Sequence, residues 1–188
     1  MRATERMTLR AFTENAADAA LALGLDSDPA VMRYINGGRP RTPQDVRERV
    51  LPRLARRYPC LGGRPGFWAA EDRATGAFLG WFELLPVDED SAAVLELGYR
   101  LNRSVWGQGY ATEGARALLT AAFTDLGARR VTANTMAVNA ASRRVMEKAG
   151  LRFVRTYFGD WPEAIPGSEH GEVEYALTAA QAAATGDR

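Results

Sequence analysis

The chain has one cysteine, Cys60, one histidine, His170, and almost no net charge: 24 Lys and Arg stand against 23 Asp and Glu. A single thiol excludes a disulfide within the chain and suits a reducing cytosol. One Cys and one His cannot build a typical zinc site, so no metal is expected. Near-neutrality argues against a whole-molecule basic field for nucleic acid. No apolar run approaches the roughly 20 residues that cross a bilayer. The opening "MRATERMTLRAF" lacks the apolar centre of a secretory signal. These absences set the expectation of a cytoplasmic protein with neither nucleic acid nor membrane as partner. Cys60 follows "RRYP" with no histidine near it in sequence, and reads as structural.

What is present is an ordinary soluble composition, 188 residues with 46% hydrophobic and 25% charged, enough for one domain with a sizeable core. "RMTLRAF" alternates as a half-buried strand. "TENAADAALALGL" predicts a helix capped by Thr13 and ended at Gly24. "DSDPAVMRYI" predicts another, capped by Asp28 with Pro29 at its first position. In "QDVRERVLPRLARRY", Val46, Val50 and Leu54 share a helical face, and Pro52 should kink it. Its arginines read as a solvated face; a lid over an anionic ligand is the sharper alternative. "GFWAAED", "AFLGWFELL" and "AAVLELGYRL" read as strands, the last two as an antiparallel hairpin. A helical stripe from Ala111 to Leu126 follows, then strand "RRVTANT", helix "NAASRRVMEKAG" headed by Asn139, and strands "LRFVRTYF" and "EVEYALT". The proline-bearing loop "DWPEAIPGSEHG" separates those strands, and the tail at 179–188 reads as a frayed helix or disorder. The whole is one α/β domain with a mixed sheet over 1–178, an antiparallel meander in which a crossover helix makes "AAVLELGYRL" and "RRVTANT" locally parallel.

The corner "VWGQGYATEG" turns strand into helix through two glycines. Backbone N–H groups left free there, with the positive end of the helix dipole, favour a phosphate or diphosphate. Gly107 and Gly109 allow close approach because no Cβ intervenes. Thr112 can add a hydroxyl donor; Glu113 reads as a capping residue. The corner lacks the Gly-Lys-Ser/Thr of a Walker A loop, and Thr112 stands where a dinucleotide fingerprint needs glycine. A nucleotide-binding α/β protein is therefore disfavoured, and a ligand-free tight turn is the plain alternative.

"WGQGYATEGARALLTAAF" followed by "NAASRRVMEKAGLRF" resembles the GNAT superfamily of acyl-CoA-dependent N-acetyltransferases. With "TERMTLRAFTENAADAALAL...DPAVMRYI" the likeness covers roughly residues 4–178 and is nearest to the Rim-type branch, which includes ribosomal-protein N-terminal acetyltransferases. The resemblance implies that Trp106, Gly107, Gln108, Gly109, Tyr110, Ala111 and Thr112 hold acetyl-CoA. Trp106 departs from the family's Arg or Gln at the first position. It further implies that the backbone at Tyr99 and Leu101 pairs with the pantetheine arm like an added strand, and that Asn139 hydrogen-bonds that arm.

Acetyl transfer needs a neutral amine, a stabilised oxyanion and a protonated leaving thiolate. Backbone N–H groups on the splayed strand meet the second need. Many GNAT enzymes meet the third with a tyrosine seven residues after the asparagine, but Met146 stands there and has no proton to give. Ser142 matches the Rim-type serine near the sulfur and is the nominated donor; a locally satisfied helix hydroxyl is the alternative. Glu96 is the candidate base, on one face with Val94, Gly98 and Arg100. Glu83 across the hairpin would raise one carboxyl of the pair toward the useful range. An exposed Glu96 paired with a strand neighbour is the plainer view, and His170 is the second-choice base. The acceptor is expected to be a primary amine, either a peptide N-terminus or a small amine. Glu83, Glu96, Glu172 and Glu174 would suit a cationic one. A non-catalytic acyl-CoA sensor is the alternative, and an apolar strand edge would allow a homodimer.

Overall fold

A computed structural model describes residues 2–159 and 163–186. In chain order, the short β1 (Arg2–Ala3) and β2 (Met7–Ala11) lead into α1 (Ala16–Asp26) and α2 (Pro29–Asn36). A bent helix follows: α3 (Pro43–Asp45), a π turn over Val46–Val50, and α4 (Leu51–Ala55). The two-residue strands β3 (Arg57–Tyr58) and β4 (Arg64–Pro65) pair with each other. Then come β5 (Phe67–Asp72), β6 (Phe78–Asp88), β7 (Ser91–Leu101), α5 (Tyr110–Thr124), β8 (Arg130–Met136), α6 (Ala140–Ala149), β9 (Arg152–Tyr157), β10 (Glu172–Thr178) and α7 (Ala179–Gly186).

Eight strands form one mixed sheet in the order β1-β2-β5-β6-β7-β8-β10-β9. Every pairing is antiparallel except β7 with β8. That exception follows from the α5 crossover, which returns the chain to the same end of the sheet. Alternate strand residues face two different layers. Leu95, Leu97, Val131, Ala133, Val173 and Tyr175 join Leu118 and Ala122 of α5 in the larger core. On the opposite face Phe67, Ala69 and Trp81 meet Ala22 and Leu25 of α1, Val46 and Leu54. That second core ends at β6, and beyond it the same face carries polar side chains from β7, β8 and β10.

Several local expectations are corrected by competing hydrogen bonds. Asn15, not Thr13, caps α1, its side chain accepting from the Asp18 N–H. Thr13 instead donates both its N–H and its hydroxyl to the buried Asp18 carboxylate. Gly24 lies inside α1, which runs on to Asp26. The bend at Pro52 takes the form of a π turn, closed by the Leu51 N–H donating to Val46 O. This wider turn absorbs the donor that proline lacks. The tail is helical to Gly186 because Thr178 and Gln181 cap its start reciprocally. Residues 160–162 of the proline-bearing loop and 187–188 of the tail lie outside the described residues.

Candidate active site

The parallel pairing of β7 with β8 spans only Val94–Glu96 against Arg130–Thr132. From there β8 diverges while β7 runs on to Leu101. The Asn102 N–H donates to Leu79 O at 2.8 Å, so antiparallel alternation turns the even-numbered amides of β7 toward β6. Leu97, Tyr99 and Leu101 therefore direct their backbone groups into the opening. Among the described residues, no strand pairs with β7 along that stretch. Leu101 O is taken up by the Trp106 indole N–H at 2.8 Å, which pins the half-exposed Trp106 to the end of the splay.

Among the described residues, the corner after β7 leaves a run of backbone N–H groups unpaired at the start of α5. Gly107 and Gly109 adopt φ of 73° and 86°, a region L side chains avoid. Gly109 is the N-cap of α5 and offers no side-chain cap. The first helical bond is Glu113 N–H to Gly109 O at 3.0 Å. Among the described residues, the N–H groups of Gly107, Gln108, Gly109, Tyr110, Ala111 and Thr112 have no acceptor. Glu113 does not cap this helix, contrary to the sequence reading. It accepts from Thr4 Oγ1 (2.6 Å), Arg6 N (2.8 Å) and Arg6 Nε (2.7 Å). Burial pushes its carboxyl up, but these bonds outweigh that and hold it below the usual range.

Two hydroxyls meet beside the splay. Tyr99 Oη lies 3.0 Å from both the carbonyl oxygen and Oγ of Ser142. Burial pushes the Tyr99 phenol up to about 12, with the Ser142 bond opposing, so it keeps its proton throughout the neutral range. Asn139 caps α6, its Oδ1 accepting from Ser142 N–H at 3.2 Å and its Nδ2 donating to Thr135 Oγ1 at 3.1 Å. Met146 is buried in the larger core.

On the opposite sheet face, Glu83 pairs with Gly98 and Glu96 with Leu85, so both carboxylates share that face. The Glu83 side chain lies across Gly98: a Cβ there would sit 2.3 Å from Glu83 Oε1. Glu83 Oε2 is buried without a hydrogen-bond partner among the described residues, the Arg53 guanidinium standing 3.6 Å away. Burial pushes the Glu83 carboxyl up to about 7; Arg53 and Arg100 pull it down, and Glu96 pushes it up. Glu96 accepts from Asn134 Nδ2 at 3.2 Å, the neighbour-paired arrangement. Further along the face, the Tyr157 hydroxyl lies 3.1 Å from Glu172 Oε2 and 3.3 Å from Asn134 Oδ1. Burial and the Glu172 carboxylate raise its pKa. Glu174 is neutralised by Arg130 and Arg155, each at 2.7 Å. Arg100 is held by buried Asp26 at 2.5 Å. His170 is exposed in a short 3-10 turn beside Glu169, and the structure does not bring it to Glu83 or Glu96. Burial raises the Cys60 thiol, in keeping with an inert side chain.

An open strand edge thus has free helix-start amides at one end and a buried carboxyl behind it, an arrangement that suits an extended anionic ligand. Residues 6–152 match the family model described as an acetyltransferase (GNAT) domain. The chain belongs to the GNAT acetyltransferase family. It is thereby placed among the acetyl-CoA-dependent N-acetyltransferases, with acetyl-CoA as the family's co-substrate. It is 41% identical over 160 residues to the FsC-acetyl coenzyme A-N(2)-transacetylase of Aspergillus fumigatus, covering 82% of this chain. The match spans 66% of the fungal protein's length. The Bacillus subtilis protein YkkB is 35% identical over 154 residues, 81% of this chain and 86% of that one. A crystal structure of the aminoglycoside acetyltransferase AAC(6')-Ib in complex with coenzyme A superposes with a TM-score of 0.71, covering 95% and 98% of the two chains at 22% identity. Such a likeness speaks for the fold.

The structure places the glycine corner between β7 and α5 and the splay beside Tyr99 and Leu101, and it buries Glu83 Oε2 while Glu96 accepts from Asn134. Glu83, in the sequence a hairpin neighbour of Glu96, has the buried, raised carboxyl. The Tyr99 hydroxyl, Tyr157 and Arg6 give no signal in the sequence, and Arg53 reads there only as part of a solvated face or a lid over an anion, not as a neighbour of Glu83. Each depends on strand register or on contacts between distant segments. Among the described residues, no group of three or more His, Cys, Asp or Glu is placed to hold a metal ion. No helix among them is long and apolar enough to cross a membrane.

Proposed function

We propose that this chain transfers the acetyl group of acetyl-CoA to a primary amine by direct attack within a ternary complex. The observation that carries this reading is the Glu83 carboxyl laid across Gly98, immediately past the point where β8 leaves β7. The free amides of residues 107–112 hold the diphosphate, and the backbone of Tyr99 and Leu101 pairs with the pantetheine arm. Trp106, with its indole on Leu101 O, closes the end of that pairing; Trp in place of Arg or Gln is also what favours the Rim-type branch. Asn139 contributes through its second Nδ2 proton, since its other groups are engaged. Glu83, with a pKa near the working pH, takes the proton of the incoming ammonium, and Glu96 supplies negative charge beside it. The amine nitrogen then bonds to the thioester carbon, the oxyanion is met by strand N–H groups, and the C–S bond breaks. The nitrogen sheds its second proton as the C–S bond breaks, and Ser142 passes a proton to the departing thiolate to give the free thiol, with Tyr99 behind it as the group that orients its hydroxyl.

The acceptor is an amine with further positive charge. Glu83, Glu96 and Glu172 lie on one sheet face; Glu174 is neutralised by Arg130 and Arg155 and Glu83 has Arg53 at 3.6 Å, which leaves Glu96 and Glu172, among the described residues, without an arginine in ion-pair contact. The fungal relative's name, a transacetylase acting at N2 with acetyl coenzyme A, supports nitrogen as the acceptor atom. The test is thiol release from acetyl-CoA across a panel of polyamines, aminoglycosides, amino-acid amides and peptides, beside calorimetry with acetyl-CoA. Release with cationic small amines supports the reading, and release only with neutral peptides overturns the acceptor class. Binding without release for any amine instead supports an acyl-CoA sensor, the reading favoured by Met146 standing where a tyrosine is common.

A further inference from the structure

Arg6, in the turn between β1 and β2, is far in sequence from the glycine corner but is fixed against it from three sides. Its Nε donates to Glu113 Oε2 at 2.7 Å and its Nη1 to Gln108 O at 3.0 Å. Its guanidinium also stacks over the Tyr110 ring, 4.2 Å from the centroid. The ring is itself tied down, Tyr110 Oη donating to Asp72 Oδ2 at 3.1 Å. Nη2 is different: among the described residues it has no acceptor, and it would stand 3.4 Å from a Cβ at Gly109. A guanidinium carries five N–H donors in a rigid fork. Here the contacts that immobilise the fork leave the Nη2 edge beside unpaired amides already aimed at an anion. Such a group loses little entropy on binding, because its rotamer is fixed beforehand.

We propose that Arg6 is a ligand of the coenzyme A diphosphate, pre-positioned by Glu113, Gln108 and Tyr110. This rests on the coenzyme site proposed above and adds to it a charged residue from outside the glycine corner. Phosphate binding by guanidinium is charge-assisted, so the Nη2 edge adds to neutral amide donors a bond of the stronger kind. It also explains why the β1–β2 turn is fastened to the start of α5 by Thr4 and Arg6 together: the fastening sets the position of the guanidinium.

The test compares wild-type protein with Arg6→Ala and Arg6→Lys by calorimetry against coenzyme A and 3′-dephospho-coenzyme A. Turnover of S-acetylpantetheine, which has no diphosphate, is measured alongside. Arg6→Ala is expected to weaken both coenzymes about tenfold and to leave S-acetylpantetheine turnover within about twofold of wild type. Arg6→Lys keeps a cation without the fork; it should show the same pattern with a smaller loss, and it answers the question if the alanine variant does not fold. Unchanged coenzyme affinity in the variants overturns the assignment, with the coenzyme site left standing. Loss confined to coenzyme A with its 3′-phosphate overturns the choice of diphosphate. An equal loss with S-acetylpantetheine shows a merely structural role. Wild-type protein that binds neither coenzyme overturns the coenzyme site itself, and this assignment with it.

Discussion

Glu83 holds its proton in the folded protein up to about pH 7, whereas an exposed glutamate in the unfolded chain has lost it near 4.3. The raised native value means the folded state binds the extra proton between those limits. Stability is therefore full below the unfolded pKa and falls as pH rises through the folded one, by on the order of 3 kcal/mol. Glu83→Gln removes that penalty. Its urea midpoint should exceed that of wild type at about pH 8.5 and approach it at about pH 5. Activity should move the other way: turnover falls roughly 100-fold or more and the acid limb of the rate profile disappears. A variant more stable in alkali with unchanged turnover would leave burial standing and remove Glu83 as base. The Tyr99 hydroxyl is a smaller matter. Tyr99→Phe strands the Ser142 groups it meets, at about 1 kcal/mol of stability, and the loss of turnover should exceed any change in acetyl-CoA affinity.

At the level of elements, the strands and helices that carry a clear period were legible, and those settled by contacts were not. The β6–β7 hairpin, the α5 stripe and the Asn139 cap follow from alternation and helical spacing. The α1 cap did not, because Thr13 and Asn15 are both good caps and the buried Asp18 carboxylate claims Thr13. The insertion of β10 between β8 and β9 has no local signature at all. The burial of the Glu83 carboxyl needed the register, which places Gly98 opposite Glu83 and nothing bulkier. Gly98→Ala should therefore displace the carboxylate, lowering turnover at least about tenfold while acetyl-CoA binding, read by calorimetry, is kept. The π turn has a consequence of its own: it places Arg53 on α4, 3.6 Å from Glu83. Since Arg53 pulls the Glu83 pKa down, Arg53→Gln should move the acid limb of the pH–rate profile to higher pH. A limb that stays in place would show that Arg53 does not govern the carboxyl.

Over the whole molecule, loops from the two halves of the sheet meet. Arg39, after α2, grips Glu163 with both Nη groups at 2.7 and 2.5 Å, and Ile165 Cγ2 lies 3.3 Å from where a Cβ at Gly37 would stand. This exposed pair adds little stability, so Arg39→Ala should leave the urea midpoint within about 0.5 kcal/mol. A larger loss would show that the pair is a structural fastening between the two loops. The opening between β7 and β8 has a further outcome, visible by amide hydrogen exchange. With only three residue pairs linking the half-sheets on that side, Leu97, Tyr99 and Leu101 trade their protons with solvent through local fluctuation. Once the pantetheine arm lies along them, that exchange slows at these positions first. On the coenzyme site proposed above, the polypeptide folds one strand short of a continuous sheet, and its co-substrate would lend the missing strand for the span of a turnover.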